Sequence, residues 1–309
     1  MIAGVAVATK DLVKRYGSRR ALDGFSLSVP NGAVLGLVGA NGAGKTTWML
    51  TVAGLLRPTS GTVDVLGMGP FDAERHSGLV SVLPQDAELP PELSPVELLR
   101  GFAMIQGLSA VDAGRAAADV LESVNLADRA KSPVRTLSHG MRKRVMAAQC
   151  FIGEPKLILL DEPLNGLDPV EAERMRRMIQ SHRGKRTIVI SSHQLGDIEQ
   201  MCTHVAFVEK GRVVRADTLR AVTQTDEQTS YVLSHEPSDM AALSAAVPGA
   251  SFSWSEKTRT LTCAFSAAVG GAASVNRRIL PALLAQGDVI SVSVGVSLEK
   301  AYLSERKKN

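Results

Sequence analysis

The stretch Gly39-Ala40-Asn41-Gly42-Ala43-Gly44-Lys45-Thr46-Thr47 constrains this chain more than any other, because it fits glycine, four residues, then Gly-Lys-Ser/Thr. The apolar run Val34-Leu35-Gly36-Leu37-Val38 precedes it with the length of a buried parallel strand, and Trp48-Met49-Leu50-Thr51-Val52-Ala53 follows as the apolar side of a helix. Strand, glycine loop and helix together form a phosphate cradle. Glycines at 39, 42 and 44 let successive N–H groups converge on phosphate oxygens, and the helix adds the positive end of its dipole. Lys45 is expected to reach β- and γ-phosphates, and Thr46 to offer a hydroxyl to a Mg²⁺ ion bridging them. The loop alone argues for a nucleoside triphosphate.

A second signal is Leu157-Ile158-Leu159-Leu160-Asp161-Glu162-Pro163. A strand without polar alternation is buried on both faces, so acids at its tip require a cation or a proton. Asp161 suits water-mediated Mg²⁺ binding, and Glu162 suits polarising an attacking water. Gln85 after Leu79–Pro84, and His193 after Thr187–Ser192, also fall at carboxyl ends of predicted strands, where α/β sheets meet ligands. Ser138 falls at a helix start, where its hydroxyl and orphan N–H groups make an anion site. Tyr16 reads either as a ring that stacks on a nucleotide base or as a surface tyrosine at a hairpin.

Around these motifs the predicted order is strands at Val5–Leu12, Phe25–Val29, Thr62–Gly67 and Leu79–Gln85, then a helical insert spanning about 86–150. A helix over Val170–Ser181 follows, with Glu171, Glu173, Arg174, Arg176 and Arg177 expected on its solvated side. Strands Val205–Val208 and Val213–Ala216 read as a terminal hairpin. Polar composition near Thr223–Gln228 marks a domain boundary, giving 1–222 and 223–309. The second part alternates strands near 230–233, 251–254, 260–265 and 289–294 with helices at 239–246 and 275–285, a small α+β domain. The closing Glu305–Asn309 reads as a solvated tail.

At 309 residues, two domains is the expectation. No run approaches the roughly 18 apolar residues of a membrane span, and the start lacks a signal-peptide pattern, so a cytoplasmic chain is expected. Cys150, Cys202 and Cys263 are scattered among apolar neighbours and read as buried thiols. A net charge of +4 favours anionic lipid or nucleic acid equally.

With these motifs in this order, the chain resembles the ATP-binding subunit of an ATP-binding-cassette (ABC) transporter from about residue 5 to 220. Walker A falls on Gly39–Thr47, the base-stacking aromatic on Tyr16, the Q-loop glutamine on Gln85 and the signature on Leu137-Ser138-His139-Gly140-Met141. Walker B falls on Leu157–Asp161 with the catalytic glutamate at Glu162, the D-loop on Asn165–Asp168 and the switch histidine on His193. The family's usual signature, Leu-Ser-Gly-Gly-Gln, is altered by His139 and Met141, while Ser138 and Gly140 are kept.

The resemblance implies an α/β P-loop NTPase cassette, with a RecA-like core, a helical subdomain and an antiparallel β region. It implies an ATPase with Lys45, Glu162 and His193 in catalysis. ATP contacts are implied at Tyr16, Gly39, Asn41, Gly42, Ala43, Gly44, Lys45, Thr46, Thr47 and Gln85, with Thr46, Gln85 and Asp161 toward Mg²⁺. Ser138, Gly140 and Asp168 are implied to reach the ATP of a second copy in a head-to-tail dimer. The single cassette with an added domain looks most like exporters whose permease is a separate chain. The subunit would then sit on the cytoplasmic face of the cell membrane, without nucleic acid as a partner. The alternative is a soluble ABC ATPase acting on ribosomes or nucleic acid, although such relatives usually carry two cassettes or a long coiled-coil insertion.

Overall fold

The computed structural model describes residues 4–223 and 228–308. The chain divides into two compact units, Met1–Thr218 and Leu219–Asn309. Residues 224–227, in the segment expected as a boundary, lie outside the described residues.

The first unit opens with a long hairpin, β1 (Val5–Tyr16) and β2 (Arg19–Pro30). Both strands run well beyond the short segments expected, because polar side chains alternate along one face while Leu12, Leu22, Phe25, Leu27 and Val29 are buried on the other. Next come β3 (Val34–Val38), helix α1 (Lys45–Val52), β4 (Ser60–Val65) and β5 (Val80–Leu83). Helices α2 (Pro95–Ile105), α3 (Ala110–Ser123) and α4 (His139–Gln149) form the expected insert. Both Ser94 of α2 and Ser109 of α3 act as N-caps, the first in a capping box with Glu97. The unit ends with β6 (Leu157–Asp161), α5 (Pro169–Gln180), β7 (Thr187–Ser192), α6 (Leu195–Met201), β8 (His204–Glu209) and β9 (Arg212–Thr218).

Two sheets result. One is antiparallel, in the order β2-β1-β4; the other runs β5-β6-β7-β3-β8-β9. The pairs β5–β6, β6–β7, β7–β3 and β3–β8 are parallel, and β9 closes the edge antiparallel. Every residue of β3, β6 and β7 is buried, as continuous apolar strands covered on both faces require. This aligns the carboxyl ends of β3, β5, β6 and β7 along one edge. Trp48 of α1 locks the helix to the hairpin: its indole N–H donates to Thr9 Oγ1 at 3.1 Å, and its ring stacks on Phe25.

The expectation that the charged residues of α5 are solvated is corrected for Glu171 and Arg176, whose side chains are largely buried. Arg144 pairs with Glu171 at 2.8 Å and Arg176 with Asp197 at 2.7 Å, and of the five named residues only Arg177 is exposed. Helices α4 and α6 supply partners for those side chains, a tertiary effect that helical periodicity does not encode.

The second unit comprises α7 (Leu219–Thr223), β10 (Gln228–Leu233), α8 (Met240–Ala246), β11 (Ser251–Ser255), β12 (Thr260–Ala264), α9 (Gly271–Leu284), β13 (Val289–Val294) and α10 (Leu298–Lys308). Its antiparallel sheet, in the order β11-β12-β10-β13, buries Tyr231, Leu233, Leu261 and Cys263 with Leu243 of α8 and Val275, Ile279 and Leu283 of α9. Helix α10 continues through Lys308, so the closing charged segment from Glu305 is helical as far as that residue. All three cysteines are buried and free, as read.

Candidate active site

The glycine loop joins β3 to α1 under tight steric limits. A Cβ at Gly39 would stand 2.4 Å from the Val208 carbonyl oxygen, and one at Gly44, where φ is +113°, would stand 2.7 Å from Ala21 O. Only glycine lets the loop pass this close to β8 and β2. Lys45, the first residue of α1, is buried, and its Nζ donates to Gly39 O at 2.7 Å and Ala40 O at 3.3 Å. Burial pushes its pKa down, against the opposing pull of the Glu162 and Asp161 carboxylates.

Those carboxylates emerge at the end of β6. Ser191 of the adjacent β7 donates its hydroxyl to Asp161 Oδ1 and accepts from the Glu162 N–H at 2.9 Å. The other Asp161 oxygen, Oδ2, is buried with no hydrogen-bond partner among the described residues. Glu162 is 8% exposed and holds a left-handed backbone, φ +50°. Its Oε2 lies 3.0 Å from Nδ1 of His193, which follows β7.

One cavity of about 330 Å³ gathers Asn41, Gly42, Gly44, Lys45, Thr46, Thr47, Gln85, Asp161, Glu162 and His193. Gly39 and Ala43 shape the loop without lining this space. Tyr16 is half exposed at the end of β1, outside the lining, with the Lys14 ammonium 5.3 Å from its ring centre.

Ser138, Gly140 and Asp168 also lie outside the cavity. Ser138 caps α4, its hydroxyl accepting from Met141 N at 3.2 Å, so the helix begins at His139. Asp168 caps α5, accepting from Val170 N and Glu171 N at 3.0 Å each. These two caps face a shared turn. A Cβ at Gly166 would lie 3.4 Å from His139 Nε2, one at Gly140 would lie 3.7 Å from Leu167, and Lys143 donates to Asn165 O. Burial pushes the Lys143 pKa down while the charge of Glu162 opposes it. The start of α4 is thus tied, within one chain, to the turn that follows Glu162.

Sequence reasoning missed three lining residues: Arg19, Ala21 and Asn165. Asn165 opens the recognised D-loop, of which only Asp168 was given a role, and its N–H donates to Glu162 O at 3.2 Å. Arg19 and Ala21 carry no motif. Their signal is position, at the start of a strand that the sequence pattern begins only at Phe25.

A phosphate-shaped glycine loop at a parallel sheet edge, faced by two buried carboxylates and a histidine, defines a P-loop nucleotide-binding cassette. The ABC transporter family model matches residues 22–165. The bacitracin transport ATP-binding protein of Bacillus licheniformis is 34% identical over 210 residues, covering 67% of this chain and 68% of that protein. A daunorubicin resistance ATP-binding protein of Streptomyces coeruleorubidus is 36% identical over 233 residues, covering 73% of each. A solved ATP-binding subunit of an ABC transporter aligns with a TM-score of 0.64 and 30% identity, covering 70% of this chain and 91% of that one. The chain belongs to the ABC transporter family, as an ATP-binding subunit with ATPase activity.

Proposed function

We propose that this subunit powers export of a substrate through separate permease chains at the cytoplasmic face of the cell membrane. Residues 1–222 would form the ATP-binding domain and 223–309 an accessory domain. The observation that carries the catalytic part is the convergence of Lys45, Thr46, Gln85, Asp161, Glu162 and His193 on one cavity. Support for export comes from the relatives, which include the bacitracin and daunorubicin proteins and a Nod factor export ATP-binding protein of Burkholderia orbicola, 34% identical over 239 residues. Among the described residues no helix is long and apolar enough to cross a membrane.

Within the site, N–H groups of the loop from Asn41 to Thr47 hold the phosphates, Lys45 exchanges its loop carbonyls for phosphate oxygens, and Tyr16 stacks on the base. Mg²⁺ suits the orphan oxygen of Asp161, with the Thr46 hydroxyl and Gln85 amide in the same space. When bound, it would neutralise charge on the β- and γ-phosphates. Glu162 accepts the proton of the attacking water, and His193 holds that carboxylate in place through the 3.0 Å contact. Ser138, Gly140 and Asp168 serve the ATP bound by a second copy, which explains why all three lie outside their own cavity. ATP then acts as the ligand that closes a dimer, and hydrolysis reopens it.

The test is to capture tagged Glu162→Gln protein from detergent-solubilised membranes with Mg²⁺ and ATP. Co-purification of a polytopic membrane protein in near-equal amount is the expected result. Ribosomes or nucleic acid in its place would overturn the transport reading and leave the ATPase.

A further inference from the structure

Arg19 is the one residue of the cavity lining that carries a positive charge and belongs to neither the glycine loop nor its helix. It opens β2, directly opposite Tyr16 in the hairpin register. Its side chain reaches back over the loop, so that a Cβ at Gly42 would stand 3.2 Å from Arg19 Nη2. The neighbouring arginine is engaged elsewhere: Arg20 pairs with Asp23 at 2.6 Å, and Asp23 also receives Arg212 at 2.6 Å. Among the described residues, the Arg19 guanidinium has no hydrogen bond or ion pair. An arginine left without a carboxylate beside a phosphate cradle is placed for an anionic ligand.

The charge balance of the cavity points the same way. Its ionisable lining comprises Arg19, Lys45, Asp161, Glu162 and His193. Leaving the imidazole aside, the two cations cancel the two carboxylates. Without Arg19 the lining would be net negative, and Mg·ATP, itself net anionic, would enter against that field.

We infer that Arg19 is a further phosphate-binding residue, which lays its guanidinium across the phosphate chain of the nucleotide held by the glycine loop. This rests on the ATP-binding reading of the cavity. One hairpin then supplies both ends of the ligand with a contact: Tyr16 for the base and Arg19 for the phosphates. Gly42 matters twice, since its bare backbone both faces the phosphates and leaves room for the guanidinium.

The experiment compares binding of Mg·ATP and adenosine to the full chain and to Arg19→Gln, Arg19→Lys and Lys45→Ala, at low and high KCl. Arg19→Gln is expected to weaken ATP about tenfold, the loss of one charge-assisted hydrogen bond. Adenosine binding stays unchanged, the affinity becomes less sensitive to KCl, and Arg19→Lys recovers part of the loss. Unaltered ATP affinity in Arg19→Gln, with binding lost in Lys45→Ala, would overturn the role of Arg19 and keep the ATP site. An equal fall for adenosine would likewise overturn a phosphate contact. Failure of the unsubstituted chain to bind ATP would remove the reading of the cavity itself. Arg19 is exposed, so the fold tolerates both of its substitutions, and coincident thermal unfolding verifies this for all three variants.

Discussion

Nδ1 of His193 and Oε2 of Glu162 stand 3.0 Å apart across the ends of two adjacent parallel strands. Neither residue lies inside its strand, so the distance is set by the Asp161–Ser191 register and by the Ser191 hydroxyl that binds both acids' segment. Glu162→Gln retains the amide-sized side chain but loses the base. It is expected to bind ATP normally and to lower turnover by about 10² to 10⁴. His193→Ala should lower turnover with less effect on ATP affinity, because it frees the carboxylate rather than the phosphates. Single-turnover hydrolysis beside equilibrium binding checks both, and near-normal turnover by Glu162→Gln would sink its role.

Gly140 offers a sharper probe of the second-copy contact than Ser138. Ser138→Ala also removes the cap of α4, which costs about 1 kcal/mol. A Cβ at Gly140 meets only ordinary contact within its own chain, at 3.7 Å from Leu167. Gly140→Asp is therefore expected to leave the monomer folded and able to bind ATP, while depressing turnover and ATP-dependent dimerisation. Size-exclusion chromatography with Mg·ATP in the Glu162→Gln background reads the dimer. Loss of ATP binding by the monomer would contradict the trans assignment.

Arg144 links three elements: it pairs with Glu171 of α5 at 2.8 Å and donates to Val124 O, beyond the end of α3, at 2.5 Å. Arg144→Met is expected to destabilise the first unit by roughly 3 kcal/mol, the low end for breaking a buried pair, because Arg174 still reaches Glu171. Urea unfolding followed through Trp48, which is buried in this unit, measures the shift.

The buried thiols carry a pH prediction. Burial pushes the Cys150 pKa from 9.0 up to about 12 and the Cys263 pKa up to about 11. A group whose pKa is raised by folding stabilises the fold fully below its unfolded value, and that contribution is lost as pH rises. Alkaline destabilisation from these thiols should thus begin above 9.0 and grow toward about 12. At neutral pH iodoacetamide should label them only after unfolding.

The glycine loop, Asp161-Glu162 and His193 were legible because each obeys a local rule: a strand of known length, a tip residue, a fixed spacing. Gln85 was legible by the same strand-end rule. Arg19 was not, since its place in the cavity depends on a hairpin that runs further than its apolar pattern. The α5 ion pairs were not legible either, because Glu171 and Arg176 find partners on helices distant in sequence. In the second unit, the apolar runs placed β10 and β12, and nothing local showed that α10 continues to Lys308.

The left-handed backbone at Glu162 has a consequence for how this chain can change over time. A side chain larger than glycine or asparagine in that conformation costs about 1–2 kcal/mol, and here the residue is also a carboxylate only 8% exposed. Glu162→Asn should relieve both costs, raising the thermal midpoint by a few degrees while halting ATP turnover. A lineage selected only for heat resistance would gain by changing this position, and would become robust by ceasing to be a motor.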